Sequence, residues 1–340
     1  MKKEIDYYGT FGPACCREDV LFDMIEAGMT GIRLNLSHKS LEESKDWIHA
    51  YQMASARAKK EPNLLIDLIG PEIRIGDLKK PIHLREGKSV NLIDEKYEIP
   101  KEDSEIPVKK EILSYLFPGQ ILKLDDGKIL LTVEKKGESG ITCTVIRGGV
   151  LQSRKSLAAP GVQFDNPTLT AQDKKNIQQA KSYGVSAVML PFVRSKEDLI
   201  CLKETLKKNH GEDIKIFAKI ENAEGINQLK SLLPFCDQIV IARGDLGNDV
   251  SLPKLPAAQQ QITHICNEAK KPFMVVTQML NSMIENPVPT RAEVNDIFHA
   301  ITDGAASVML TGETATGAYP VQAMKMLVET GEEACRYLEQ

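Results

Sequence analysis

Short apolar, β-branched runs recur along this chain. Each is bounded by turn residues, and most are followed by a longer stretch in which apolar positions return every three or four residues. The runs fall at 5–10, 31–35, 64–68, 187–192, 214–220, 238–242, 273–277 and 307–310. Their length and their Val and Ile content predict buried strands. The stretches at 20–27, 41–59, 171–183, 196–208, 223–232, 257–269, 291–302 and 321–337 carry the period of amphipathic helices. Strands alternating with helices predict a parallel sheet, and eight such units are the number that closes a (β/α)8 TIM barrel of the α/β class. A doubly wound open sheet is the competing architecture. It usually carries a Gly-rich phosphate turn after its first strand, and Gly9-Thr10-Phe11-Gly12-Pro13 is not one.

The alternation breaks once, after the third strand. Between 77 and 157 the apolar period drops to two: Ile121 to Leu124, 129–133 and 141–146, with turns at 125–128 and 137–140. Asp-Gly turns between short alternating runs predict hairpins. The expected organisation is a catalytic barrel at 1–76 and 158–340, with a small β-rich lid domain inserted at 77–157. An insertion at the carboxyl end of a barrel strand is placed to cover a site. Ser153-Arg154-Lys155 at its exit brings positive charge there.

Composition narrows the partners. The chain has 340 residues, 42% apolar and 26% charged, with a net charge of −4 in which both signs are interleaved. That excludes general attraction to nucleic acid or anionic membrane. The apolar runs are too short to span a bilayer. Met1-Lys2-Lys3-Glu4 leads into folded-looking sequence without the apolar stretch of a signal peptide. The seven cysteines form no CxxC pair, which reads as reduced thiols and a cytoplasmic location.

In parallel α/β folds the ligand sits at the carboxyl ends of the strands. Those ends carry Arg33, Asn35, Ser37 and His38 after the second strand, and Asp67, Glu72 and Arg74 after the third. Lys219 and Glu221 follow the fifth, Arg243 and Asp245 the sixth, Thr277 the seventh, and Thr311 and Glu313 the eighth. These are hard oxygen donors and cations. Glu221 and Asp245 suit Mg2+, which takes one or two carboxylates and completes its shell with water and substrate. Arg33, Arg74 and Lys219 suit phosphate oxygens. The six histidines are scattered without zinc spacing, and no Gly-x-Ser-x-Gly elbow occurs. The inventory reads as phosphoryl transfer or as enolate chemistry with a divalent metal. Singly, each carboxylate has a blander reading as a surface ion-pair residue. Arg243 reads as a structural bridge between carboxylates, and Thr311 and Glu313 divide evenly between support and substrate contact.

Seven segments then resemble the pyruvate kinase family, in the family's order: Ala27 to Met29 through Arg33 to His38, Gly70-Pro71-Glu72-Ile73-Arg74, Lys219-Ile220-Glu221-Asn222, Ala242-Arg243-Gly244-Asp245-Leu246-Gly247, Thr277 to Leu280, Pro289 to Glu293, and Gly312 to Ala315. The resemblance implies phosphoryl transfer from phosphoenolpyruvate to ADP, giving pyruvate and ATP, dependent on Mg2+ and K+. By position it puts Lys219 beside the moving phosphoryl group as a catalytic residue, with Thr277 and Arg33. It makes Glu221 and Asp245 the Mg2+ ligands. The backbone of Gly244 and Asp245, with Thr277, would bind the substrate carboxylate, and Thr277 would also belong to the relay that protonates the enolate. Asn35, Ser37, Asp67 and the carbonyl of Leu68 would hold K+, and Glu72 resembles the K+-requiring members. Arg33, His38, Arg74 and Lys155 would face the nucleotide phosphates.

The chain departs from the family at Leu68-Ile69, where Thr-Lys is typical, at Pro191, where serine is usual, and at 156–159. It ends at Gln340, after the eighth helix, so the expectation is a short form lacking the C-terminal allosteric domain. A homodimer through the barrel is one expected assembly. Two other classes compete. A metal-dependent aldolase or lyase acting through a pyruvate enolate would use the metal but neither ADP nor Lys155. The other is a non-catalytic, metabolite-binding relative.

Overall fold

The computed structural model describes residues 4–96, 104–125, 127–137, 140–162, 164 and 166–340. Eight parallel strands close into a barrel: Asp6–Thr10, Gly31–Asn35, Leu64–Asp67, Val185–Leu190, Lys215–Ile220, Gln238–Ala242, Phe273–Val276 and Ser307–Met309. Closure comes from the first strand, which pairs with the eighth (Asp6↔Ser307 to Tyr8↔Met309) and with the second (Tyr8↔Gly31 to Thr10↔Arg33). At the rim, the Thr10 hydroxyl donates to the Leu310 carbonyl at 2.8 Å and the Thr10 N–H donates to the Thr314 hydroxyl at 2.8 Å, tying the chain's first strand to its last loop.

The barrel interior is filled rather than open. Tyr8, Phe217, Met189, Met274 and Met309 interleave with Ala187 and Ala242, all buried. Bulky side chains facing small ones is how layers in such a barrel reach close packing. Gly31 is required by the same packing: a Cβ there would lie 2.4 Å from the Tyr8 ring. The strands are apolar because both their faces are covered, one by this interior and one by the helices. Glu18–Glu26, Lys45–Arg57, Ala171–Ala180, Lys196–Lys208, Ala223–Leu232, Leu255–Glu268, Arg291–Thr302 and Pro320–Leu338 follow the eight strands. Among the described residues, no helix is long and apolar enough to cross a membrane.

The chain divides into two compact units. The barrel unit comprises Met1–Pro71, Pro167–Arg243 and Leu255–Gln340; the other comprises Glu72–Asn166 and Gly244–Lys254. The second unit holds a six-stranded sheet ordered Leu157–Ala158, Ile121–Leu124, Ile129–Gly137, Gly140–Arg147, Ser89–Asp94 and Glu105–Val108. Its central pairs are antiparallel, as hairpin periodicity predicts. Ser89–Asp94 and Glu105–Val108 pair in parallel, which periodicity does not reveal. The unit has its own core, including Val90, Leu92, Ile106, Leu122, Leu131 and Cys143. The expected turns at 125–128 and 137–140 include Asp126 and residues 138–139, which lie outside the described residues, as do residues 1–3 of the N-terminal reading.

Candidate active site

In the barrel unit, charge collects at the carboxyl ends of the second, third and fifth strands. Register places Asn35 beside Asp67 on neighbouring strands. Arg33 grips Asp67 with two donors on one oxygen, Nη2 at 2.6 Å and Nε at 3.0 Å from Oδ2. Lys219 reaches the same Oδ2 at 3.2 Å and Glu221 Oε1 at 2.8 Å. Both carboxylates are only 2% exposed. Burial alone would push the Asp67 carboxyl up; the Lys219 and Arg33 charges outweigh it and hold the group below the ordinary carboxylate range. Two cations thus balance two anions. A buried ion-pair cluster contributes little net stability, so a cluster at the ligand end of a barrel is a functional-site signature.

The strand-to-helix turns fix these groups. The fifth strand ends at Ile220 and Asn222 caps the next helix, accepting from the Gly225 N–H at 2.7 Å, so Glu221 is held in the single residue between. Its Oε2 accepts the Phe192 N–H at 2.8 Å. Phe192 has φ of 52°, a conformation uncommon for a non-glycine residue. Asp67 Oδ1 is buried and accepts no hydrogen bond among the described residues. Leu68, the fourth expected K+ ligand, is buried beside it in sequence and donates its N–H to the Met189 carbonyl at 3.1 Å. In the following loop, Asn35 Oδ1 accepts the Ser37 N–H at 3.1 Å. His38 is exposed and lines a polar cleft with Lys39, Gln172 and Lys175.

Thr277 follows the seventh strand with φ of 77°, and Gln278 continues at 55°. Arg243 donates to the carbonyls of Val276 and Thr277 and pairs with Asp296 at 2.5 Å. The structural reading of Arg243 therefore holds in altered form: it binds one carboxylate and two backbone carbonyls. Glu313 is 1% exposed and braces two loops, accepting from the Leu280 N–H at 3.0 Å and the Thr311 N–H at 2.7 Å. These bonds are those of a supporting residue. Asp173, which the strand-end reading passed over, accepts from the Ile69 N–H at 2.8 Å and the Gly70 N–H at 3.1 Å. Its signal was present in Thr170-x-x-Asp173, a capping box at a helix start.

In the second unit, Arg74 pairs with Glu72 at 2.7 Å and donates to the Arg154 carbonyl at 2.9 Å. Lys155 pairs with Asp125 at 2.8 Å. Burial raises the Asp125 carboxyl, but Lys155 and Lys128 outweigh it and the net direction is down. Gly244 and Asp245 lie in the first turn of a short helix, Arg243–Asp249, that starts directly after the sixth strand. Among the described residues, no group of three His, Cys, Asp or Glu side chains could by itself hold a metal. A Mg2+ site of one or two carboxylates completed by substrate needs no such group.

A family model described as pyruvate kinase, barrel domain, matches residues 2–324. The pyruvate kinase of Clostridium acetobutylicum is 35% identical over 327 residues, covering 96% of this chain and 69% of that protein. The pyruvate kinase of Thermococcus litoralis is 36% identical over 332 residues, covering 97% and 69%. That of Geobacillus stearothermophilus is 37% identical over 338 residues, covering 96% and 56%.

Proposed function

We propose that this chain, which belongs to the pyruvate kinase family, transfers the phosphoryl group of phosphoenolpyruvate to ADP, giving pyruvate and ATP. The observation that carries the reading is Lys219, 12% exposed and held between Asp67 and Glu221. Phosphoryl transfer spreads negative charge over the equatorial oxygens of the moving group, and catalysis is mainly positioning plus electrostatic stabilisation. An ammonium fixed by two carboxylates is already oriented, so little reorganisation remains when that charge develops. Arg33, fixed on Asp67, supplies a second oriented cation. Thr277 contributes the hydroxyl of the relay that delivers a proton to the enolate carbon, and with the backbone of Gly244 and Asp245 it binds the substrate carboxylate. Arg33, His38, Arg74 and Lys155 serve the nucleotide phosphates.

The donor set suits both expected cations. Glu221 and Asp245 would hold Mg2+. Asn35, Ser37, Asp67 and the Leu68 carbonyl would hold K+, and the buried Asp67 Oδ1 without a hydrogen-bond donor is an acceptor of the kind a cation satisfies. When bound, the ions supply positive charge to phosphate and enolate oxygens. The seven cysteines, none of them in a disulfide, suit a reducing cytoplasm. Assembly as a homodimer through the barrel belongs to the same reading, and sedimentation would read it.

The test is pyruvate formation from phosphoenolpyruvate by Mg2+-loaded protein, with and without ADP. ADP-dependent pyruvate is expected. Pyruvate at the same rate without ADP would mean transfer of the phosphoryl group to water and would overturn the kinase reading, and none at all would leave the lyase acting on another substrate or the non-catalytic relative. Turnover should also saturate with K+ and not with tetramethylammonium. Equal rates in the two at matched ionic strength would remove K+ from the proposal.

A further inference from the structure

The seventh barrel strand ends in a left-handed kink that no glycine relieves. Thr277 has φ of 77° and Gln278 φ of 55°. Positive φ at a β-branched residue is an outlier that persists only when the surroundings over-determine it. One guanidinium supplies the upstream constraint. Arg243 Nη2 donates to the Thr277 carbonyl at 2.7 Å, and Nε is shared between the Thr277 carbonyl at 3.2 Å and the Val276 carbonyl at 3.3 Å. Nη2 also lies 3.0 Å from Met279 Sδ. Nη1 is anchored on Asp296 Oδ2 at 2.5 Å. Downstream, the Leu280 N–H is fixed on Glu313. The kink is therefore clamped before and after the two strained residues, and all three guanidinium nitrogens have protein partners.

We propose that Arg243 is a positioning residue. Its guanidinium, oriented by Asp296, holds the left-handed Thr277 backbone and so aims the Thr277 hydroxyl at the carbon that receives the proton. The proposal rests on the relay role given to Thr277 above. It differs from a charge role for Arg243, because a fork that bonds two carbonyls and a carboxylate together cannot be replaced by a lysine point charge.

Two variants test it: Arg243→Lys, which keeps the charge and loses the fork, and Asp296→Asn, a milder change on a side chain 36% exposed. Three quantities are read: exchange of solvent deuterium into the methyl group of added pyruvate, ATP formation in a single turnover, and amide exchange across 276–280. Misplacement of a reacting group by about 1 Å costs up to about 10²-fold. Deuterium entry should therefore fall by roughly 10- to 100-fold in Arg243→Lys. ATP formation at saturating phosphoenolpyruvate should change by no more than a few-fold, and amide exchange at 276–280 should speed up. Asp296→Asn should move all three the same way by less. Wild-type deuterium entry in both variants would overturn the proposal. So would equal loss of deuterium entry and of ATP formation at saturating phosphoenolpyruvate, or lost activity with unchanged amide exchange. A wild type without ADP-dependent pyruvate would sink the functional reading itself, and the positioning role with it. An active wild type with unaffected variants would sink the positioning role alone.

Discussion

Lys219 is one ammonium shared by two buried carboxylates, Asp67 at 3.2 Å and Glu221 at 2.8 Å. Lys219→Met keeps length and removes charge. Arg33 still satisfies Asp67 Oδ2, and the Phe192 N–H still satisfies Glu221 Oε2, so the barrel should fold. Turnover at saturating phosphoenolpyruvate should fall about 10²-fold or more, because the lost interaction is strongest when the phosphoryl charge develops. Steady-state rates check this, and a variant within a few-fold of wild type would remove Lys219 from its role. Lys219 and Glu221 were legible in the sequence because a strand end and a helix cap bracket them locally. The clamp on Thr277 was not. The partners of Arg243 are carbonyls 33 and 34 residues on, and every residue has a carbonyl, so no residue type announces that contact. Asp67 shows the same limit: its type suggested an oxygen ligand, but only the structure shows that Oδ2 is committed to Arg33 and Lys219 while Oδ1 is not.

Among the elements, the helix Lys196–Lys208 begins on a carboxylate that does several jobs. Asp198, 5% exposed, accepts the Arg194 N–H at 3.0 Å and pairs with the Arg194 guanidinium at 2.8 Å. Burial alone raises its carboxyl; the hydrogen bonds from Arg194 and Thr168 and the Arg194 charge prevail, and the net shift is down. The sign follows. An unfolded aspartate titrates near about 3.9, and the folded one lower. Between the two values the unfolded chain binds more protons, so this contribution is complete above about pH 4 and is lost as pH falls through the folded value. Asp198→Asn should lower the melting temperature at neutral pH, and the gap to wild type should narrow on acidification from about pH 4 to pH 3. A gap constant across that range would show that the ionised form is not what stabilises. Local caps of this kind explain why the helices at 196–208, 223–232 and 291–302 match their periodic patterns: Asn222 and Thr290 cap the latter two by side-chain bonds within three residues. The short helices Arg243–Asp249 and Gly312–Ala315 escaped notice because they are Gly-containing turns too brief to show a period.

The whole molecule has more than one core, and the eightfold alternation exposed only the larger. Parallel closure is implied when eight strand–helix units follow one another, so the barrel was readable before any contact was known. The parallel pairing of Ser89–Asp94 with Glu105–Val108 and the grouping of Gly244–Lys254 with the insertion depend on contacts between distant segments, which a period cannot encode. The barrel interior around Phe217 and Met274 and the insertion core around Leu92 and Leu131 are separate buried clusters. We propose that the insertion is a domain that opens on its own. Leu131 is fully buried on a central strand of the insertion sheet and pairs with Leu122. Leu131→Ala should destabilise that core by about 2–5 kcal/mol, as lost transfer energy and an unfilled cavity add. Native-state amide exchange separates the outcomes. Faster exchange confined to Ile121–Leu124, Ile129–Gly137 and Gly140–Arg147, with the barrel strands still protected, is expected. Equal acceleration in Lys215–Ile220 and Gln238–Ala242 would mean that the chain unfolds as one cooperative body and would remove the insertion as a domain.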